Sequence, residues 1–133
     1  MYHSSQEHHE GLIYKEEVYQ LQGVIFEVYR ELGCGFLESV YHECLMRELS
    51  IREIPFQSEP QLRLRYKGVP LDQFFKPDLV CYDKIIIELK SVSEMSRSHK
   101  AQLYNYLKAS GLRLGLLVNF GHHPKVQIDR IIN

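Results

Sequence analysis

The sequence predicts a single α/β domain whose elements follow the order ααβββαβ. Three observations support this order. Apolar residues recur at helical spacing in the first third of the chain, strand patterns follow from residue 62, and a further helical pattern separates the last two strand patterns. Because no internal repeat or linker interrupts the sequence, we expect one domain over residues 13–133, preceded by a disordered polar tail over residues 1–12.

Two amphipathic helices are predicted before residue 51. The first spans Lys15–Leu32, where apolar positions step by three and four along one face. The second spans residues 36–50. Gly33 and Gly35 lie between them, and glycines allow the left-handed backbone that a tight reversal after a helix requires. The two helices should therefore form a hairpin.

Strand patterns follow two prolines, at residues 55 and 60. Apolar and basic residues alternate over Leu62–Tyr66, and residues 67–70 form a turn signal. Two further strands are expected over residues 71–82 and Ile85–Lys90. Since short turns join these three strands, we expect a three-stranded meander.

The last third of the chain predicts a helix and one or two strands. Ser96 or Ser98 caps a helix that should run to Ala109 and end at Gly111. An apolar strand is expected over residues 112–120, and residues 126–132 could add a short edge strand.

Composition excludes several protein classes. The 133 residues are 44% hydrophobic, which suffices for a buried core and excludes collagen-like, disordered and disulfide-scaffold proteins. The longest uncharged stretch, residues 114–124, is far shorter than the roughly 20 apolar residues of a membrane span. No secretory signal is visible. The three cysteines, Cys34, Cys44 and Cys81, lie in apolar contexts, which indicates buried free thiols and a cytoplasmic location.

Charge is divided along the chain although its formal net value is −1. Residues 1–59 contain eleven acidic and four basic side chains, whereas residues 60–133 contain six acidic and twelve basic ones. The basic half could supply a phosphate-binding face. Alternatively, an acidic helical layer packs beside a basic sheet, and charge alone does not separate these two interpretations.

Glu88 and Lys90 are the least expected residues of the chain because they interrupt an aliphatic strand. Residues two apart in a strand share a face, so both side chains project opposite Ile87 and Leu89. If a three-residue loop precedes Ile85, Asp78 falls opposite Glu88. A two-residue loop would place the two carboxylates on opposite faces.

A cluster of this kind predicts metal-assisted phosphodiester hydrolysis. Facing carboxylates repel each other unless a cation neutralises them, and Mg²⁺ binds through one or two carboxylates together with substrate phosphate oxygens. We therefore expect Mg²⁺, or Mn²⁺ in its place, at Asp78 and Glu88, with Lys90 positioning the attacking water or stabilising the phosphorus centre. The competing interpretations are an exposed ion pair of Glu88 with Lys90 and a turn role for Asp78.

Three motifs resemble known nuclease sequences. Pro77-Asp78, nine intervening residues and then Glu88-Leu89-Lys90 resemble the signature of the PD-(D/E)XK nuclease superfamily. The segment Gly35-Phe36-Leu37-Glu38-Ser39-Val40-Tyr41 resembles the motif of its GxxExxY family of small bacterial and archaeal proteins. Gln102-Leu103-Tyr104-Asn105-Tyr106 resembles the Q-x-x-x-Y motif of the exonuclease branch.

The resemblance implies a restriction-endonuclease-like core, in which helices flank a small mixed sheet. It also implies that Glu38 completes the metal site with Asp78 and Glu88, and that Gln102 orients the lysine or the water. Helix-dipole stabilisation by Glu38 and ordinary helix packing of Gln102 remain the alternatives. Tyr29 and Cys34 depart from the family pattern, in which we expect His and Pro.

The predicted function is that of a Mg²⁺-dependent nuclease acting on DNA, with RNA as the alternative substrate. Seven basic side chains are candidates for phosphate contacts: Arg63, Arg65, Lys67, Lys76, Arg97, Lys100 and Lys108. Arg97 and Lys100 are favoured because they begin the helix that carries Gln102, and with Tyr106 they are the predicted nucleic-acid contacts. A solvated basic face is the competing explanation. A non-catalytic module that binds nucleic acid or a partner protein, and a dimerising structural domain, are the alternative functions. Because 133 residues leave no room for a separate DNA-reading domain, we expect sequence specificity to be modest or to come from a homodimer or a partner protein.

Overall fold

The computed structural model describes residues 12–133, so most of the predicted tail lies outside the described part. Helix α1 spans Lys15–Leu32 and helix α2 spans Glu38–Ile51, which confirms the predicted helical hairpin. Helix α2 begins two residues later than expected because Leu37 has an extended backbone. Gly33 and Gly35 both adopt positive φ, at 68° and 110°, where side chains are unfavourable.

The main sheet contains five strands: β1 (Phe56–Ser58), β4 (Leu79–Cys81), β5 (Ile85–Lys90), β6 (Leu114–Asn119) and β7 (Gln127–Ile132). They lie side by side in the order β1-β4-β5-β6-β7. Neighbours pair antiparallel except β5 and β6, which are parallel. The sheet is therefore mixed, and the edge strand expected near the C-terminus is confirmed.

The expected three-stranded meander is wrong. Strands β2 (Leu62–Tyr66) and β3 (Val69–Phe75) form a separate two-stranded sheet. Of the run expected as the second meander strand, only the last part, β4, belongs to the main sheet, where it pairs with β5. The run over residues 71–82 breaks at residues 76–78, where Pro77 has no backbone N–H for a ladder hydrogen bond. Strand β1 was not predicted because its three residues lie in a short segment between two prolines.

Helix α3 spans Arg97–Ser110 and has well-formed ends. Ser96 rather than Ser98 is its N-cap: Ser96 Oγ accepts from His99 N, and His99 Nδ1 accepts from Ser96 N. Gly111 ends the helix in the left-handed conformation. His99 is therefore part of the cap of this helix.

The main sheet separates two apolar cores. On one face, Ile85, Ile87 and Leu89 pack against α1 and α2. On the other face, Ile86 packs with α3 residues Leu103 and Leu107. Helix α3 lies close to the sheet at Gly115, where a Cβ atom would stand 2.9 Å from the Leu103 side chain. The strand alternation predicted for β5 is thus confirmed.

The three cysteines differ in how exposed they are. All three cysteines are free, but Cys34 is exposed because it lies in the reversal between α1 and α2, so its predicted burial is wrong. Cys44 is half-buried and Cys81 is buried. Within residues 12–133, no helix combines the length and the apolar character that crossing a membrane requires.

Candidate active site

Asp78 and Glu88 lie side by side at the start of β4 and near the end of β5. Cys81 pairs with Ile85, which confirms the three-residue loop on which this alignment depended. Asp78 N donates to Glu88 Oε1 at 2.9 Å, and Leu89 N donates to Asp78 Oδ2 at 2.8 Å. These two hydrogen bonds fix both carboxylates against the strand edge.

Each of these carboxylates keeps one oxygen available. In the described part of the chain, neither Asp78 Oδ1 nor Glu88 Oε2 accepts a hydrogen bond. Across the same residues, Lys90 forms no ion pair with either acid. The interpretation of Glu88 and Lys90 as a simple cross-strand ion pair is therefore wrong.

The two carboxylates are costly to ionise together. Burial, followed by the charge of Asp78, raises the pKa of Glu88 to about 7. Burial also raises the pKa of Asp78, against the opposing effect of its hydrogen bond from Leu89. Glu38 adds a smaller upward contribution to both pKa values, and Lys90 a smaller downward one. All four side chains therefore lie within electrostatic reach of one another.

Glu38 is the first residue of α2, and it faces the chain that leaves β5. Glu38 Oε2 accepts a hydrogen bond from Ser91 N at 3.2 Å. Ser91 Oγ donates to the backbone oxygen of Phe36 at 2.7 Å, so the segment before α2 is attached at a second point. The helical layer thus delivers an acid to the end of β5 that carries Glu88 and Lys90.

Tyr41 holds the loop from which Glu38 begins. Its side chain is fully buried, its hydroxyl donates to Gly33 O, and it accepts from Phe36 N at 3.2 Å. Its ring stacks on Phe120 with centroids 4.3 Å apart. One hydroxyl therefore closes the reversal between α1 and α2.

Asn119 is a positioning residue that sequence reasoning missed. Among residues 12–133, it is the only buried residue with an amide or charged side chain, and it is fully buried. Asn119 Oδ1 accepts from the backbone N–H groups of Val92 and Gly121, and Nδ2 donates to Val92 O at 2.9 Å. A Cβ on Gly121 would stand 2.4 Å from Val92 O, so glycine is required there. A polar residue at the end of an aliphatic strand was the available signal.

His42 also lies near the acids and was not predicted. It follows Glu38 by one helical turn, so both occupy one side of α2. His42 Nε2 lies 3.2 Å from Ser58 Oγ on β1. Its charge lowers the pKa of Asp78, although burial outweighs this effect.

The remaining predicted site residues, all on α3, form no hydrogen bond or ion pair with Asp78, Glu88 or Glu38 in the described chain. Gln102 is exposed and, within the described chain, forms no hydrogen bond to Lys90 or to the acids. Tyr106 is half-buried, and its ring stacks on Phe75 at 3.8 Å between centroids. Lys100 Nζ approaches Asp129 Oδ2 at 3.9 Å, and Arg97 is exposed.

The donor set suits a hard divalent cation although it is not a closed cage. In residues 12–133, no three His, Cys, Asp or Glu side chains are arranged as a ready metal site. Two adjacent carboxylates with available oxygens nevertheless match the one or two protein ligands that Mg²⁺ commonly takes. The raised pKa of Glu88, caused first by burial and then by Asp78, marks a place where positive charge is lacking.

Comparison with solved structures supports the fold. A chain described as "Crystal structure of SSO0001" aligns with a TM-score of 0.56 at 19% identity, covering 71% of this chain and 50% of that chain. The chain therefore spans half the length of that structure, and at this identity the likeness concerns the fold alone. No curated protein matches the chain.

A family model gives the more specific result. The model of the PD-(D/E)XK nuclease superfamily matches residues 15–131, which include Glu38, Asp78 and Glu88. The α/β restriction-endonuclease-like fold expected from the motifs is thereby confirmed: residues 12–133 form three helices, a five-stranded mixed sheet and a small two-stranded sheet. By its motifs, its fold and this match, the chain belongs to the PD-(D/E)XK nuclease superfamily.

Proposed function

We propose that this protein is a Mg²⁺-dependent nuclease of the GxxExxY family that hydrolyses phosphodiester bonds of DNA, with RNA as the alternative substrate. The observation that carries the proposal is the reciprocal attachment of Asp78 and Glu88, each with one oxygen available. A purely structural strand end has no need for two half-buried carboxylates on facing residues of neighbouring strands.

Asp78 and Glu88 are the residues that would hold the metal, and Glu38 is the third candidate. When bound, Mg²⁺ or Mn²⁺ lowers the pKa of a coordinated water and neutralises charge on the phosphate. Glu38 accepts one backbone hydrogen bond, as each strand acid does, but it comes from the start of α2, so we assign it to the helical side of the site.

Lys90 supplies the positive side chain on the same strand face as Glu88. It forms no ion pair with described acids, so its ammonium group remains available to orient water or to stabilise a phosphate oxygen. The clamp of Asn119 on Val92 fixes the backbone just after Lys90 and thus limits where this amine can reach. Gln102 stays a proposal as the residue that orients the lysine or the water.

A non-catalytic module that binds nucleic acid or a partner is the second candidate. It is favoured by the exposed position of Gln102, which forms no hydrogen bond to the acids in the described chain, and by the lack of a ready three-ligand group there. The proposal has two further parts. A homodimer or a partner protein supplies specificity, and the protein is located in the cytoplasm.

The test is a cleavage assay on plasmid, single-stranded DNA and RNA with Mg²⁺ or Mn²⁺. We expect Asp78→Asn and Lys90→Ala each to lower the rate by at least about 100-fold, as expected when a catalytic group is removed. Glu43→Gln, an exposed acid on α2, serves as the matched control and should retain full activity.

Two outcomes would contradict the proposal. Cleavage that survives both substitutions would indicate another site or a contaminating nuclease. Wild-type protein that binds metal and nucleic acid without cutting any substrate would favour the binding module instead.

A further inference from the structure

The β2–β3 hairpin carries cations that form no ion pair with any acid of residues 12–133. In the helical layer, Arg30 and Arg47 pair with glutamates on their own helices, and Arg52, the residue after α2, pairs with Glu48. The hairpin and the residue after it contribute four basic side chains and one acid: Arg63, Arg65, Lys67, Lys76 and Asp72. Within residues 12–133, none of these four cations lies within ion-pair distance of an acid.

The hairpin itself holds two of the guanidinium groups. Arg63 lies over the ring of Phe74, 4.7 Å from its centroid, and its Nη1 donates to Leu71 O at 2.7 Å. Arg65 Nη1 donates to Gly68 O at 3.2 Å. Carbonyl partners orient a guanidinium without neutralising it, so both groups remain available to an anion.

Aromatic rings accompany these charges. Phe74 is 45% exposed and Tyr66 is 63% exposed, and Lys67 Nζ lies 5.5 Å from the Tyr66 ring centroid. Arg63, Arg65 and Phe74 share one face of the hairpin, because Arg63 pairs with Phe74 and residues two apart in a strand project the same way. We call these three residues, together with Lys67 in the turn, the hairpin surface. Strand β3 ends three residues before Asp78, and the stack of Phe75 on Tyr106 anchors the hairpin to α3. The hairpin surface is thus joined to the candidate site by a short, anchored segment.

We infer that the hairpin surface binds an unpaired nucleic-acid strand and guides it toward Asp78 and Glu88. Cations without acidic partners suit the phosphates, and exposed rings stack only on bases that are not covered by neighbours in a duplex. An acidic protein would satisfy the charges but would leave the exposed ring of Phe74 without a specific role. The inference names the substrate of the proposed nuclease and rests on that function, although strand binding itself requires no hydrolysis.

The experiment measures binding in EDTA, where metal-dependent cleavage cannot occur. Fluorescence anisotropy compares labelled strands of ~15 nucleotides, as single-stranded DNA, single-stranded RNA and duplex DNA. We expect tighter binding of a single strand than of the duplex. Phe74→Leu should weaken single-strand binding by about 5- to 150-fold, as the loss of one stacked base predicts. The DNA and RNA strands show which sugar is preferred.

Two further variants separate charge from stacking. Arg63→Ala combined with Arg65→Ala should flatten the dependence of log Kd on log salt by about 1.4, because two phosphate contacts are lost. Arg47→Ala removes an exposed cation from the helical layer and should leave the binding unchanged. If Phe74→Leu unfolds, Arg65→Ala still tests the surface, since Arg65 does not contact that ring.

Several results would overturn the inference. These are equal affinity for duplex and single strands, no effect of the hairpin variants, or binding of polyglutamate in preference to every nucleic acid. The proposed function fails separately: if the strand binds through the hairpin but the wild type with Mg²⁺ never cuts it, only catalysis is disproved. If the wild type cuts DNA and the hairpin variants bind normally, only the hairpin assignment is disproved.

Discussion

The two faces of the main sheet differ although the same strands build both. Toward α1 and α2, nineteen buried residues of the described chain form one apolar core. Toward α3, the core contains seven buried residues, and Glu88, Lys90 and Asn119 share that face. Strand β5 shows the contrast within six residues, since Ile87 and Leu89 point one way and their polar neighbours the other. We call the core toward α1 and α2 the thick core and the core toward α3 the thin core. The thick core provides rigidity, and the thin core leaves room on its face of the sheet for charged side chains.

Truncation in the thick core should produce the largest change in stability. Ile87 is 1% exposed in the core against α1 and α2. We expect Ile87→Ala to lower the free energy of unfolding by about 2–5 kcal/mol in urea denaturation. The same substitution at Ile51, which is 73% exposed, should cost less than about 0.5 kcal/mol. Similar losses at both positions would contradict the burial on which the comparison of faces depends.

The acidic face should make stability depend on pH when metal is absent. Burial and Asp78 raise the pKa of Glu88 from 4.5 to about 7, so the folded state binds this proton more tightly than the unfolded state. The associated stability is present below pH 4.5 and is lost as pH rises through 7. In EDTA we expect the free energy of unfolding to fall by up to about 3 kcal/mol between pH 4.5 and pH 8.

Glu88→Gln should remove most of this dependence, because the amide does not titrate. Glu43→Gln on the exposed side of α2 should retain it. Parallel pH profiles for the wild type and Glu88→Gln would show that other groups cause the effect.

Divalent metal should reverse the penalty at high pH. At pH 8 and a Mg²⁺ concentration ten times the dissociation constant, we expect a stabilisation of about 1.4 kcal/mol, measured as a rise in Tm. Glu88→Gln should show little rise, whereas Glu43→Gln should match the wild type. An equal rise in all three proteins would place the bound metal elsewhere.

Local patterns made much of this architecture predictable. The step of three and four predicted both bounds of α1. Of the two loop lengths considered before Ile85, the three-residue loop of residues 82–84 correctly aligned Asp78 with Glu88. The separate β2–β3 sheet was not predictable, because strand patterns do not specify which strands pair. Pro77 was visible as a residue that interrupts a strand, but the sequence did not indicate that the chain after it joins a different sheet.

The site was predictable where residues share a strand and less so where distant segments meet. The position of Glu88 and Lys90 on one face followed from alternation alone. The clamp of Asn119 on Val92 and the hydrogen bond from Ser91 to Glu38 join residues 27 and 53 positions apart, which no local pattern reports. The hairpin cations were visible in the sequence, but their lack of acidic partners required coordinates.

The smallest effect expected concerns the N-terminus of α3, the helix that covers the thin core. Ser96 Oγ accepts from His99 N, and this cap satisfies one of the otherwise unpaired amides of the first turn. We expect Ser96→Ala to cost about 1 kcal/mol and to speed amide exchange in the first turn of α3. Ser93→Ala, an exposed serine just before the helix, should do neither. Because fewer buried residues hold α3 than hold α1 and α2, the loss should remain local to the acidic face. Faster exchange that extended into α1 would show instead that the two faces unfold as one unit.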